Sequence, residues 1–264
     1  MATAGTSRTL TKQTGTPDYD DPVFWDNKFS SGHDVGEWLN PGEPLIDVVM
    51  SHLDRRPALD EPAPSPRALH LGPGISKLGS KLCDEFTKRG WCGSQILNVD
   101  FSSEAVRIGR EMEATKEQSQ AMHWMQADLR SWDDVSRTIP YGPFDVVFDK
   151  STSDAIATAA PLTFPPASEA SNTCLTIRQI VEESGEITLS PVEVLALHLA
   201  PLTRKGAIWA TMSYSTMRYD NLPYLARYWN LASRTPLKAP KGETSSFAHT
   251  PDVFHWLYIL ERKC

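Results

Sequence analysis

Three aspartates each follow a short apolar run: Asp100 after Ile96-Leu-Asn-Val99, Asp128 after His123-Trp-Met-Gln126, and Asp149 after Phe144-Asp-Val-Val-Phe148. A fourth run, Ala68-Leu-His-Leu71, ends in Gly72-Pro73-Gly74. Carboxylates at successive strand ends would line one edge of an open α/β sheet, where such sheets bind ligands. Asp100 lies 28 residues after Gly72, placed to accept both hydroxyls of a ribose. Asp128 could take an adenine amino group, and Asp149 would face the same crevice. Any one of these acids alone reads as a helix cap or a solvated turn. The series of three reads as a nucleoside site.

The glycine loop separates the ligand classes. Glycines permit a tight turn and close backbone approach, and the N-terminus of a following helix offers free N–H groups. A dinucleotide loop wants G-x-G-x-x-G, but Lys77 stands where the third glycine belongs. A phosphate loop wants G-x-x-x-x-G-K-[ST]. Here Gly74 and Gly79 are followed by Ser80-Lys81-Leu82, so the lysine is one place late and no hydroxyl follows it. The third reading is a loop whose glycine pair, Gly72 and Gly74, packs against the amino-acid end of S-adenosylmethionine (SAM), and the spacing to Asp100, Asp128 and Asp149 favours it.

These residues need an alternation of strands and helices to hold them. Helices are expected over Glu43–Leu53, Lys77–Arg89, Ser103–Ala114 and Ser190–Leu202, the last stopped near Gly206. Strands are expected over Ala68–Leu71, Ser94–Val99, His123–Gln126, Phe144–Phe148, Ala207–Ser213 and Phe254–Glu261. Short apolar strands without polar alternation belong to a sheet covered on both faces. The fold class is therefore α/β, Rossmann-like, with a mostly parallel sheet and helices on both sides. Residues 1–17 read as a disordered tail, and 18–264 as the catalytic domain. The segment 157–173, rich in Ala, Pro, Ser and Thr, reads as a loop insertion.

Composition narrows the function. The chain has 264 residues and a net charge of −7, which argues against a nucleic-acid backbone as partner. Its four cysteines have no metal-ligand spacing, and no apolar run is long enough to span a bilayer. A cytoplasmic location is the expectation. A mitochondrial presequence is the lesser reading of the Thr- and Ser-rich first residues, because they show no amphipathic face.

With these residues in view, the sequence resembles the seven-stranded SAM-dependent methyltransferases, and more narrowly the lysine methyltransferases of translation elongation factor 1-alpha, including the domain associated with endothelin-converting enzyme 2. Four segments carry the resemblance: Asp21-Pro-Val-Phe-Trp25-Asp-Asn-Lys-Phe29 with Trp38 downstream; Leu71-Gly72-Pro-Gly74-Ile-Ser76; Asn98-Val-Asp100-Phe101-Ser102; and Phe144-Asp-Val-Val-Phe-Asp149-Lys150-Ser-Thr-Ser-Asp154-Ala155, where the family usually reads D-K-G-T-L-D-A. The resemblance implies a seven-stranded sheet ordered 3-2-1-4-5-7-6. It also implies cofactor contacts at Trp25, Phe29, Trp38, Gly72, Asp100, Phe101, Asp128, Leu129 and Lys150. The implied reaction is methylation of a protein lysine. Asp149, Lys150 and Tyr214 are the residues expected to shape the cofactor site and hold the acceptor. His70 departs from the acid common before the glycine loop and is read as packing inside the strand. Ser151 and Ser153 replace the family's Gly and Leu, which leaves a small-molecule acceptor, or a non-catalytic regulatory subunit, as alternatives.

Overall fold

Runs of Val, Leu, Ile and Phe without polar alternation have to be covered on both faces, and the chain covers them with two helical layers. The computed structural model describes residues 17–31, 39–55, 64–166, 173–239 and 252–263. Within them the strands are β1 (Ala68–Leu71), β2 (Ile96–Asp100), β3 (His123–Gln126), β4 (Phe144–Lys150), β5 (Leu162–Phe164), β6 (Ile187–Leu189), β7 (Thr203–Ser213), β8 (Trp229–Lys238) and β9 (Phe254–Arg262). The helices are α1 (Pro22–Ser30), α2 (Glu43–Leu53), α3 (Leu78–Lys88), α4 (Ser103–Glu113), α5 (Trp132–Ser136), α6 (Thr152–Ile156), α7 (Leu175–Ser184), α8 (Pro191–Leu199) and α9 (Pro223–Tyr228). The expected tail lies outside the described residues apart from Pro17, and Trp38 lies outside them as well.

Seven strands form one sheet in the order β3-β2-β1-β4-β7-β9-β8. Renumbered along this sheet alone, that is the expected 3-2-1-4-5-7-6. The pairs from β3 to β7 are parallel, and β9 runs antiparallel between β7 and β8. The pleat sorts β4 into two sets. Val147 pairs with Trp209 and Asp149 with Thr211, on the face that carries Leu69, Leu71 and Trp209 against α8. Val146 and Phe148 join Leu45, Leu78 and Leu82 on the opposite face, under α2 and α3. His70 lies on this second side. Its ring stacks on Phe148 at 4.2 Å, and Nδ1 meets Asn98 Oδ1 at 2.9 Å, so it is a packed strand residue.

Three expectations are corrected. The segment 157–173 is not loop throughout, because Leu162–Phe164 forms β5 and pairs antiparallel with β6. That ribbon and α7 close a third core around Ile177, Ile180, Leu189 and Leu197, outside α8; residues 167–172 lie outside the described ones. Gly206 does not stop a helix. It sits within β7 at a φ of 78°, beside a register shift against β4, while α8 ends at Leu199 and a 3-10 turn carries the helical stretch to Leu202, as expected. Asp149 does not close its strand either, because Lys150 continues it.

α8 begins with a capping box. Ser190 Oγ accepts from Glu193 N at 3.3 Å, and Glu193 Oε2 accepts from Ser190 N at 3.1 Å. This satisfies two N–H groups of a helix whose every residue is buried. Among the described residues no helix is long and apolar enough to cross a membrane.

Candidate active site

The C-terminal ends of β1, β2 and β4 open into a cavity of about 300 Å³. Gly72 and Gly74 form its floor, with φ of 55° and 53°. A side chain at Gly72 would put Cβ 2.2 Å from Thr152 Oγ1, and one at Gly74 would put it 3.0 Å from Phe29 Cζ. The loop therefore has to be glycine for reasons of both φ and space. Thr152 Oγ1 in turn donates to Leu71 O at 2.8 Å, which ties the start of α6 to the end of β1.

Asp100 stands at the centre of this floor, 4 % exposed. Its Oδ2 accepts from Gly74 N at 2.8 Å and its Oδ1 from Ser102 N at 2.9 Å. Burial pushes its carboxyl up to about 6, against the pull of those two N–H groups. Phe101, Leu129 and Asp128 continue the wall. The Asp128 carboxylate is gripped by Arg130, whose Nε reaches Oδ1 at 3.0 Å and Nη2 reaches Oδ2 at 2.9 Å. Leu129 is fixed through its carbonyl, which lies 2.9 Å from Nδ1 of the buried His198 on α8. Burial lowers the His198 pKa to about 4, so the ring is neutral and its N–H donates there.

The roof is α1. None of its residues is buried, yet it carries Trp25, Lys28 and Phe29 over the cavity. Two features hold it. Trp25 Nε1 donates to Tyr19 O at 2.8 Å within an aromatic cluster that includes Phe24 and Phe29. Asp26 accepts from Ser102 Oγ at 2.5 Å, Ser103 Oγ at 3.0 Å and Glu104 N at 3.1 Å, clamping α1 onto the N-terminus of α4. Partial burial pushes the Asp26 carboxyl up, but these hydrogen bonds together outweigh it and hold the group below the usual carboxylate range. Asp26→Ala is expected to weaken cofactor binding about tenfold by loosening the roof, given roughly 1.5 kcal/mol for a charge-assisted contact. Calorimetric titration with SAM checks this, and an unchanged affinity would show that α1 does not cover the cofactor.

The residues expected to hold an acceptor separate in the structure. Tyr214 and Lys150 line the cavity. Tyr214 is 49 % exposed, and partial burial with the nearby Asp154 raises its phenol above the ordinary value. Lys150 Nζ donates to Asn40 O at 2.8 Å, joining β4 to the turn before α2. Asp149 cannot touch an acceptor. It is fully buried on the other face of β4, where Oδ2 accepts from Trp209 Nε1 at 2.8 Å and Oδ1 from Ser153 N at 3.1 Å. Burial pushes its carboxyl up to about 6, opposed by the Ser153 N–H and by Trp209. Asp149 ties β4 to Trp209 of β7 and to Ser153 of α6.

Ser151 shows what its departure from glycine entails. It keeps a φ of 71°, the left-handed conformation that glycine adopts without penalty, and its Oγ donates to Asp154 Oδ2 at 2.9 Å. The residues missed from sequence are Asp20, Asp26, Arg130, Asp154 and Arg218, charged side chains contributed to the site by loops and short helices. Of these, Asp154 had a signal, since it stands in the segment matching D-K-G-T-L-D-A. The chain position of Arg218, four residues after Tyr214, carried none.

No family model matches the chain. A curated relative, methyltransferase srdJ of Neurospora crassa, is 28 % identical over 247 residues, covering 94 % of this chain and 85 % of its own. Among solved structures, a SAM-dependent methyltransferase from Anabaena variabilis superposes with a TM-score of 0.53 at 10 % identity, covering 97 % of this chain and 99 % of its own. A structure described under the conversion of a disulfide bond into a thioacetal group during echinomycin biosynthesis also gives 0.53, at 13 % identity and over 92 % and 93 % of the two chains.

Proposed function

We propose that this chain transfers the methyl group of SAM to a small molecule held in the cavity. That it is a SAM-dependent methyltransferase rests on its fold, on the N. crassa relative over 94 % of the chain, and on the fit of the site. Gly72 and Gly74 line the cavity at positive φ, packed too closely on Thr152 and Phe29 to carry a Cβ, and the buried carboxylate of Asp100 accepts from Gly74 N. An aromatic roof of Trp25 and Phe29 covers the cavity. These residues suit a ligand with an amino-acid end, a ribose and a flat base.

When bound, the cofactor supplies a methyl group on a sulfonium sulfur, already activated for displacement. The protein's share is placement and exclusion of water. Asp100 would hold the ribose hydroxyls, the glycine loop the amino-acid end, and the Leu129 segment the base. Lys150 and Asn40 brace the strand end where the methyl group would lie.

The observation that carries the small-molecule reading is a strap of the chain's own residues across the cavity's edge. Asp20, just before α1, faces Arg130 at 3.7 Å and accepts from Thr158 Oγ1 at 3.4 Å. The chain's own segment thus ties the loop after β3 to the end of α6, and Tyr19 and Asp20 line the cavity beside Arg130 and Thr158. The second reading is a protein lysine, as the resemblance to the elongation factor 1-alpha methyltransferases implies. It is favoured by an exposed apolar rim at Tyr214 and Met217, 49 % and 59 % accessible, where a protein could dock.

Incubation with methyl-labelled SAM and fractionated cell extract separates the two. Label in the low-mass fraction is the expected result. Label confined to a protein band that survives denaturation would overturn the small-molecule reading in favour of lysine.

A further inference from the structure

At the acceptor end, one charged pair stands apart from the cofactor residues. Asp154 on α6 and Arg218, beyond β7, both line the cavity and meet at 2.6 Å, with side chains only 12 % and 18 % exposed. The carboxylate is fully engaged. Its Oδ1 accepts from Ser213 Oγ at 2.5 Å and from Arg218 Nε at 2.9 Å, and its Oδ2 from Ser151 Oγ at 2.9 Å and Tyr214 N at 3.0 Å. The guanidinium is not. Its Nε donates to Asp154 Oδ1 at 2.9 Å and to Ser213 Oγ at 3.5 Å, Nη2 lies 2.6 Å from the same Oδ1, and Nη1 meets no acceptor among the described residues. Asp154 therefore fixes the orientation of Arg218, a residue of the cavity wall, and leaves Nη1 and the outer N–H of Nη2, the edge that matches a carboxylate in bidentate fashion, without an acceptor among the described residues. The neighbouring walls are Tyr214, Ala155 and Ile156. A cationic acceptor finds no free carboxylate in this pair, because Asp154 is already taken.

We propose that Arg218 is a specificity-determining residue and that the acceptor is an apolar or aromatic molecule bearing a carboxylate, which the free edge of its guanidinium binds. The proposal rests on the small-molecule reading above. It differs from a merely structural role for the pair, in which Arg218 only ties the segment after β7 to α6.

The test uses the full chain with SAM and matched probes, hydroxybenzoic acids against the corresponding hydroxybenzamides, in transfer assays and in calorimetric binding to the protein loaded with S-adenosylhomocysteine. The acids are expected to bind and to be methylated with kcat/KM roughly ten- to a hundredfold above the amides. Arg218→Gln should raise KM for the acids at least about tenfold, leave kcat within about threefold, and remove the preference over the amides. Arg218→Lys, which keeps the charge but not the fork, should recover part of it. Unchanged affinity for S-adenosylhomocysteine shows that each variant is folded. Equal binding of acids and amides, no binding of the acids, or an equal effect of Arg218→Gln on both would overturn the proposal. If the low-mass label from cell extract then resides in neutral molecules, the small-molecule reading stands while this one falls. If the label resides in protein alone, both fall.

Discussion

Asp100→Ala is expected to lose SAM binding by roughly 10²- to 10³-fold, about 3–4 kcal/mol, the worth of two hydrogen bonds from ribose hydroxyls to a charged acceptor in a buried site. Asp100→Asn should lose less, because it keeps one acceptor. The same carboxylate sets a pH dependence. Its pKa in the cofactor-free protein is raised to about 6, and the ribose hydroxyls need the ionised form. Affinity should therefore fall as pH drops through about 6, and binding near that pH should release a proton. The stability of the free protein runs the other way. A carboxyl whose folded pKa exceeds its unfolded value contributes stability that is full below about pH 4 and is lost as pH rises through about 6. Calorimetry between pH 5 and 8 in two buffers of different ionisation enthalpy measures both the affinity and the proton count. An affinity flat across that range, or full binding by the alanine variant, would show that Asp100 does not hold the ribose.

Trp209→Phe should destabilise the fold by about 1–3 kcal/mol, the penalty for leaving one oxygen of a buried carboxylate, Asp149 Oδ2, without its Trp209 donor. Trp209 is fully buried between Tyr219 and Trp229, and its Nε1 meets Asp149 Oδ2 at 2.8 Å. Phenylalanine keeps a ring in that space and removes the N–H. For a chain of this size, each kcal/mol is about 2–4 °C in Tm. The penalty should depend on pH in a way that identifies its origin. The Trp209 N–H favours ionised Asp149, so its removal raises that carboxyl still further above about 6. The loss should then be largest above that pH and shrink under acid conditions, where Asp149 is neutral in wild type and variant alike. Asp149→Asn in the Trp209→Phe background should recover part of it, a coupling read from the double-mutant cycle. A penalty equal at pH 5 and pH 8 would mean that lost packing, not the hydrogen bond, is responsible.

Strand and helix alternation and the Gly72–Gly74 loop were legible because each is local: apolar runs, a turn that only glycine can make, and an acid at the end of β2. Asp149 shows where that reading stopped. A strand-end acid looked like a site residue, but side chains alternate along a strand, and Val147 and Asp149 share the face that packs on Trp209. Only the register of β4 against β7 says which face meets the cavity. The helix α7 carries a local signal, since Ile177, Ile180 and Val181 repeat at helical spacing and bury one face. The ribbon β5–β6 had almost none. Three residues per strand are too few for a pattern, and their pairing joins positions 162–164 with 187–189. Arg218 and Asp154 are 64 residues apart, and no spacing rule joins them.

The placement of β9 between β7 and β8 has a consequence for how the protein is made. β8 leaves the ribosome before β9, yet its native partner is β9, and the place beside β7 belongs to that later segment. Until β9 emerges, β7 presents an open row of backbone donors and acceptors flanked by Trp209 and Met212, the kind of edge that recruits other strands. The nascent chain thus carries a vulnerable, half-finished sheet for the whole interval between β7 and β9. Its safe maturation depends on the late strand threading home faster than a neighbouring chain can take that place.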